Sequence, residues 1–209
     1  MIEMIVVLGV IAVMMAFVYP AYIGMSQRAK AAKDMSNLHQ IGLAMQTLLN
    51  DTDQILPVSA TWPGISTSTT PVLYPKYIAT RKVFQSPFDN RASAETDLAP
   101  VSYSINTNMY AKLGTNPSML KVVSPSSTFL MAPTYAGNPT SWTGTTTSAP
   151  DLPVGAPAET KGTHLNGRQI NVLFCDWHTE SLIFGPASTE GTFQDHLLPL
   201  GVKHWDPTQ

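Results

Sequence analysis

Residues 1–25 read MIEMIVVLGVIAVMMAFVYPAYIGM. Glu3 is the single charge in this run; the remainder is apolar, small or aromatic. After Met25 the chain turns polar but keeps a helical spacing to about Leu49. Together these stretches form one helix of about 50 residues, roughly 75 Å long at 1.5 Å per residue, far longer than a compact domain requires. About 20 apolar residues suffice to cross a bilayer core of roughly 30 Å. The first half of the helix therefore buries its surface in lipid or against other copies of itself. A carboxylate inside such a segment is expensive and asks for a functional explanation.

The second half of the helix is one-sided. Ala29, Ala32, Met35, Leu38, Ile41, Leu43 and Met45 recur near helical spacing, and Leu48 and Leu49 close the stripe. Lys30, Lys33, Asp34, Gln40 and Gln46 fall mostly between those positions. Pro20 removes a backbone donor and crowds the preceding turn, so a kink or local melting is expected there. The helix is expected to end near Asn50–Asp51, with Pro57 enforcing the break. The chain thus divides into an apolar half-helix, 1–27, and a head, 28–209, that includes the second helix half, 28–50.

Downstream, six prolines between Pro57 and Pro100 mark a loop-like region. Val101–Asn106 alternates as a strand, and Thr128–Ala132 is a second candidate. Ile170–Cys175 and Thr179–Phe184 read as a hairpin around Asp176–Trp177. Tyr135–Pro157 is rich in Gly, Pro, Ser and Thr and reads as an exposed loop, with Ser141–Ser148 either plainly solvated or a carrier of O-linked sugars. The expected fold is α+β: a long N-terminal α-helix packed by its second half on a small antiparallel β-sheet head.

Composition narrows the function. Charged residues make up 12% and the net charge is −2, which argues against nucleic-acid binding through a basic surface. The one cysteine, Cys175, rules out an internal disulfide and reads as a small buried hydrophobe. There is no Gly-x-Ser-x-Gly, no phosphate-binding glycine loop and no HExxH, so an enzyme is not expected. No haem-attachment motif is present, and no cofactor is expected.

The N-terminal segment resembles type IV pilins and the pseudopilins of type II secretion systems. The resemblance rests on Ile2-Glu3, the run MIVVLGVIAVMMAFVYP and the step from Glu3 to Pro20. A second resemblance, to pilin-like proteins of planctomycete and verrucomicrobial type, covers Thr163-His164-x-x-Gly167 and Asn171–His178, with FQSPFD at 84–89 and VSYSIN at 101–106. That family carries Asp-Gly-His where this chain has Asp176-Trp177-His178; a turn needing positive φ would strain Trp177.

These likenesses imply the type IV pilin fold and a structural subunit of an extracellular filament. The subunit would wait in the inner membrane as a precursor and polymerise through its N-terminal helix into a helical homo-oligomer at the cell surface. A prepilin peptidase and a pilus or secretion assembly machinery are implied as partners. Met1 stands where the family usually has leucine, so cleavage and N-terminal methylation map onto no residue of this sequence. In the family Glu3 pairs with a neighbour's N-terminal amine, while Gly9 and Pro20 mark where the helix can unwind and pack closely. Two alternatives stand beside this reading: a pseudopilin of a type II secretion system, and a membrane-anchored binding protein that never polymerises. His164, Asp176 and His178 bear groups suited to zinc or another transition metal; Asp176 and His178 equally suit a hairpin turn. Asp89, Asn90, Asp195 and Asp206 offer oxygen ligands, but at no calcium-loop spacing.

Overall fold

The structure is a computed structural model that describes residues 2–57, 73–89, 102–106, 108–114, 116–133, 145–146, 169–183 and 207–208. Helix α1 spans Ile2–Asp51 without interruption. Pro20, where a kink or local melting is expected, lies inside a continuous helix, so the helix is not melted there. At the other end the chain leaves the helix through two left-handed residues, Asp53 (φ 52°) and Gln54 (φ 63°). The Gln54 N–H (2.8 Å) and the Thr52 N–H (3.2 Å) both donate to Leu49 O, satisfying a carbonyl at the helix end. Lys76 Nζ (3.2 Å) and Tyr77 OH (2.6 Å) then donate to Asp51, tying the helix end to the turn that follows.

The head is a sheet of strands β1 (Tyr103–Asn106), β2 (Phe129–Pro133), β3 (Thr145–Thr146), β4 (Gln169–Phe174) and β5 (Thr179–Ile183), in the order β3-β1-β2-β4-β5. Four strands pair antiparallel; only the two-residue β3 runs parallel to β1. Thr145–Thr146, expected within an exposed loop, thus pairs with Ile105–Asn106; the rest of Tyr135–Pro157 lies outside the described residues. A short helix α2 (Asn108–Leu113) and 3-10 turns at Arg81–Phe84 and Met119–Lys121 complete the head.

Strand β4 is buried on both faces. Leu173 points at α1, where the Gly42 backbone comes so close that a Cβ there would lie 3.1 Å from Leu173 Cδ1. Ile170, Val172 and Phe174 point the other way and join Phe129, Ala132 and Leu182 in a second cluster, as the two-residue period of a strand requires. The first cluster holds Leu38, Ile41, Met45 and Leu49 of α1 against Tyr103, Ile105, Met131 and Leu173 of the sheet. The α+β architecture expected from sequence is the one observed.

Candidate functional site

The two halves of α1 have opposite surroundings. Every large apolar side chain from Met4 to Met25 is 44–75% exposed, whereas Leu38, Ile41, Met45 and Leu49 are fully buried. A large side chain gains about 1.5–3 kcal/mol on burial. Covering even half of the exposed run is worth on the order of 10–20 kcal/mol, as much as the net stability of a typical domain. By length and composition this helix can cross a membrane, and it is compatible with a membrane anchor or a signal. Glu3 sits in its first turn and is exposed; Gly9 has no neighbouring heavy atom within 4 Å of the Cβ position it lacks, and Pro20 is exposed. The three are spread along the helix and do not come together with one another.

Where α1 enters the head, a buried polar cluster takes over. Asp34 is fully buried. Its Oδ1 accepts from Ser86 Oγ (2.5 Å) and Tyr103 OH (2.7 Å), and its Oδ2 accepts from Asn171 Nδ2 (3.0 Å). Asn171 Nδ2 also donates to Ala31 O at 3.0 Å. One turn along, Asn37 Nδ2 donates to Gln85 O (3.1 Å). Behind Ser86, its backbone N–H donates to Ser102 Oγ (2.9 Å), and that hydroxyl donates to Asp89 Oδ2 (2.6 Å). Four separate stretches of chain meet here. No ion pair involves Asp34 among the described residues, so burial pushes its carboxyl pKa up; the hydrogen bonds from Ser86, Tyr103 and Asn171 pull it back only in part.

This corrects the placement of Asp34 among the residues lying between stripe positions. Asp34, Leu38, Ile41, Met45 and Leu48 follow at steps of four, three, four and three, one continuous inward line. Leu43, by contrast, expected in the stripe, is exposed. FQSPFD, VSYSIN and the segment beginning at Asn171 supply the rest of the cluster. The signal that could have found it was the phase of Asp34, taken before its charge.

The third candidate is the hairpin turn. Trp177 adopts φ 75°, the left-handed conformation anticipated for a position where glycine fits better. Phe174 N–H donates to His178 O (2.9 Å) and Trp177 N–H to Phe174 O (3.1 Å), closing a tight loop. His178 Nδ1 contacts Asp176 Oδ1, and its ring stacks on Phe174 with centroids 4.1 Å apart. His178 Nε2 lies 3.9 Å from Glu180 Oε2. Asp176 and His178 are therefore adjacent and engaged in the turn. His164 lies outside the described residues, as do Asn90, Asp195 and Asp206. Among the described residues no three His, Cys, Asp or Glu side chains are grouped to hold a metal ion. Cys175 is buried beside this turn, and desolvation with the nearby Asp176 charge pushes its thiol pKa up, which disfavours the reactive thiolate.

No protein-family model, no curated protein and no solved structure matches this chain.

Proposed function

We propose that this chain is the structural subunit of a type IV pilin-like filament that polymerises through the exposed half of α1. One observation carries the reading: a continuous helix whose second half is seated in a head and whose first half is bare and apolar from Met4 to Met25. Such a surface has two matching environments, a bilayer and a bundle of identical helices. Lipid tails and a helix bundle are about equally apolar, so transfer between them is driven by packing and polar pairing rather than by the hydrophobic effect.

Glu3 supplies the polar pairing. An isolated carboxylate near the apolar end is costly, and a cationic partner on a neighbouring subunit offsets much of that cost. In the resembled family that partner is an N-terminal amine. The contacts would be heterologous and open, as a filament requires. The head stays outside the helical core and carries whatever surface the filament displays.

Glu3→Ala tests this. The variant is expected to reach the membrane fraction at wild-type level and to yield few or no sheared filaments. Filament yield equal to wild type would refute the role of Glu3 in assembly.

A further inference from the structure

Between α1 and strands β4 and β5 lies an open cleft of about 660 Å³. Ile23, Gly24, Ala31 and Met35 make its helix wall largely apolar, and Arg28 is the one charged residue among the described residues that line it. We propose that this cleft seats the N-terminal end of α1 from a second copy, with that copy's Glu3 paired to Arg28. The proposal rests on the reading of the chain as a filament subunit and names the contact that sets the stagger between copies.

Charge is the first argument. Glu3 is the only charged residue of the apolar run, and Arg28 is the next charged residue along the chain. Both are exposed, and neither makes an ion pair among the described residues. They cannot meet within one chain. Helix α1 runs unbroken through both, and the 25 residues between them, at about 1.5 Å each, hold them about 37 Å apart. A contact between them is therefore a contact between copies. A guanidinium takes a carboxylate through two parallel hydrogen bonds, which fixes register as well as sign. The separation is also close to seven turns, so both side chains leave the same side of the helix. Copies that join them are turned toward each other as well as shifted. Such a relation leaves a free Glu3 at one end and a free Arg28 at the other, an open contact rather than a closed one.

Surface is the second. The helix wall of the cleft continues the bare apolar run, and a Cβ at Gly24 would meet no heavy atom within 4 Å. Small residues such as Gly24 and Ala31 let a second helix approach closely. Met4 to Leu8, which follow Glu3, are 54–72% exposed. A copy that enters the cleft with Glu3 thus brings apolar side chains to an apolar wall. Its carboxylate meets a counter-charge there, which offsets the cost of carrying it.

Zero-length cross-linking tests the contact in filaments sheared from cells that express the full-length chain. Arg28→Lys keeps the ion pair and supplies an amine, so a membrane-permeant carbodiimide is expected to join Glu3 of one copy to position 28 of the next. Covalent multimers should appear, with that peptide pair identified by mass spectrometry. Wild-type filaments lack the amine at 28 and should give no such pair. Charge exchange is the second readout. Arg28→Glu is expected to reach the membrane fraction but to cut filament yield by about tenfold or more, the scale of one charge-assisted hydrogen bond lost per contact. Adding Glu3→Arg to it is expected to recover most of the yield. Wild-type yield from Arg28→Glu would overturn the proposal, as would Arg28→Lys filaments in which Glu3 links to an N-terminal amine or to nothing. So would acyl-chain density or a different protein in the cleft of a reconstructed filament. A wild-type chain that enters no filament would instead overturn the subunit reading beneath it, and the proposal with it.

Discussion

Replacing Asp34 with alanine should cost about as much as truncating a fully buried apolar side chain at the helix–head junction. The carboxylate accepts three side-chain hydrogen bonds inside the core. Without it the Ser86 and Tyr103 hydroxyls and one Asn171 N–H lose their acceptor where water does not reach, at about 1–3 kcal/mol each. Some of this is recovered, because an unpaired buried charge disappears with its desolvation cost and the hydroxyls can rotate. A net loss of about 2–4 kcal/mol remains, at the upper end for a point mutation. Asp34→Asn keeps the shape and one acceptor oxygen but turns an amide N–H toward Asn171 Nδ2, so a loss of about 1 kcal/mol is expected. Urea unfolding of the full chain in detergent, followed by tryptophan fluorescence, measures both against Lys33→Ala, an exposed control one residue away. An Asp34→Ala midpoint indistinguishable from that of Lys33→Ala would refute the cluster as the junction's anchor. The same variants carry a pH signature. Burial raises the Asp34 pKa in the folded chain above its ordinary value of 3.8. The folded state then binds the proton more tightly, so its contribution is full below 3.8 and is lost as pH rises through the folded value. The stability difference between wild type and Asp34→Asn should therefore grow on acidification; a difference that shrinks toward pH 4 would contradict the assignment.

Other consequences follow from packing. Gly42→Ala should destabilise despite a helix-propensity gain of about 1 kcal/mol, because the new methyl meets the fully buried Leu173 at 3.1 Å and overpacking costs about 1–3 kcal/mol. The penalty should vanish in a Leu173→Ala background, and additive effects in a double-mutant cycle would argue against the contact. Cys175 should resist a thiol reagent in the native chain and react fully in urea, since it is buried and its thiol pKa is raised. Fast stoichiometric labelling of the folded protein would show that the β4–β5 turn opens.

Much of the architecture is legible in the sequence because it rests on long periodic signals. The end of α1, strands β1, β2, β4 and β5, and the hairpin at Asp176–Trp177 all lie within a few residues of where hydrophobic period and turn chemistry put them. Helix α2 was not legible: six residues of Asn108–Leu113 are too short to display a period. At Pro20 a proline costs the helix one backbone hydrogen bond and a local clash, which is too little to melt it, and the helix continues through the residue. For Asp34 residue type and phase disagree: its charge points to solvent and its position in the helix points to the core. A carboxylate in line with Leu38, Ile41 and Met45 has to be buried with them, and the partners that make this tolerable come from segments 52 to 137 residues away. No local pattern encodes such a set. The metal expectation depended on His164 joining Asp176 and His178; the two described members are absorbed by their own turn.

Helical reconstruction of filaments sheared from cells, with the subunit identified by mass spectrometry, tests the central claim most directly. The expected result is a filament built from this chain, with residues 3–25 of successive copies bundled at its core, Glu3 against a cationic group of a neighbour, and the β-sheet heads outside. The contradicting result is a chain that remains in the membrane fraction and enters no filament, or a filament whose core is made of something other than these helices.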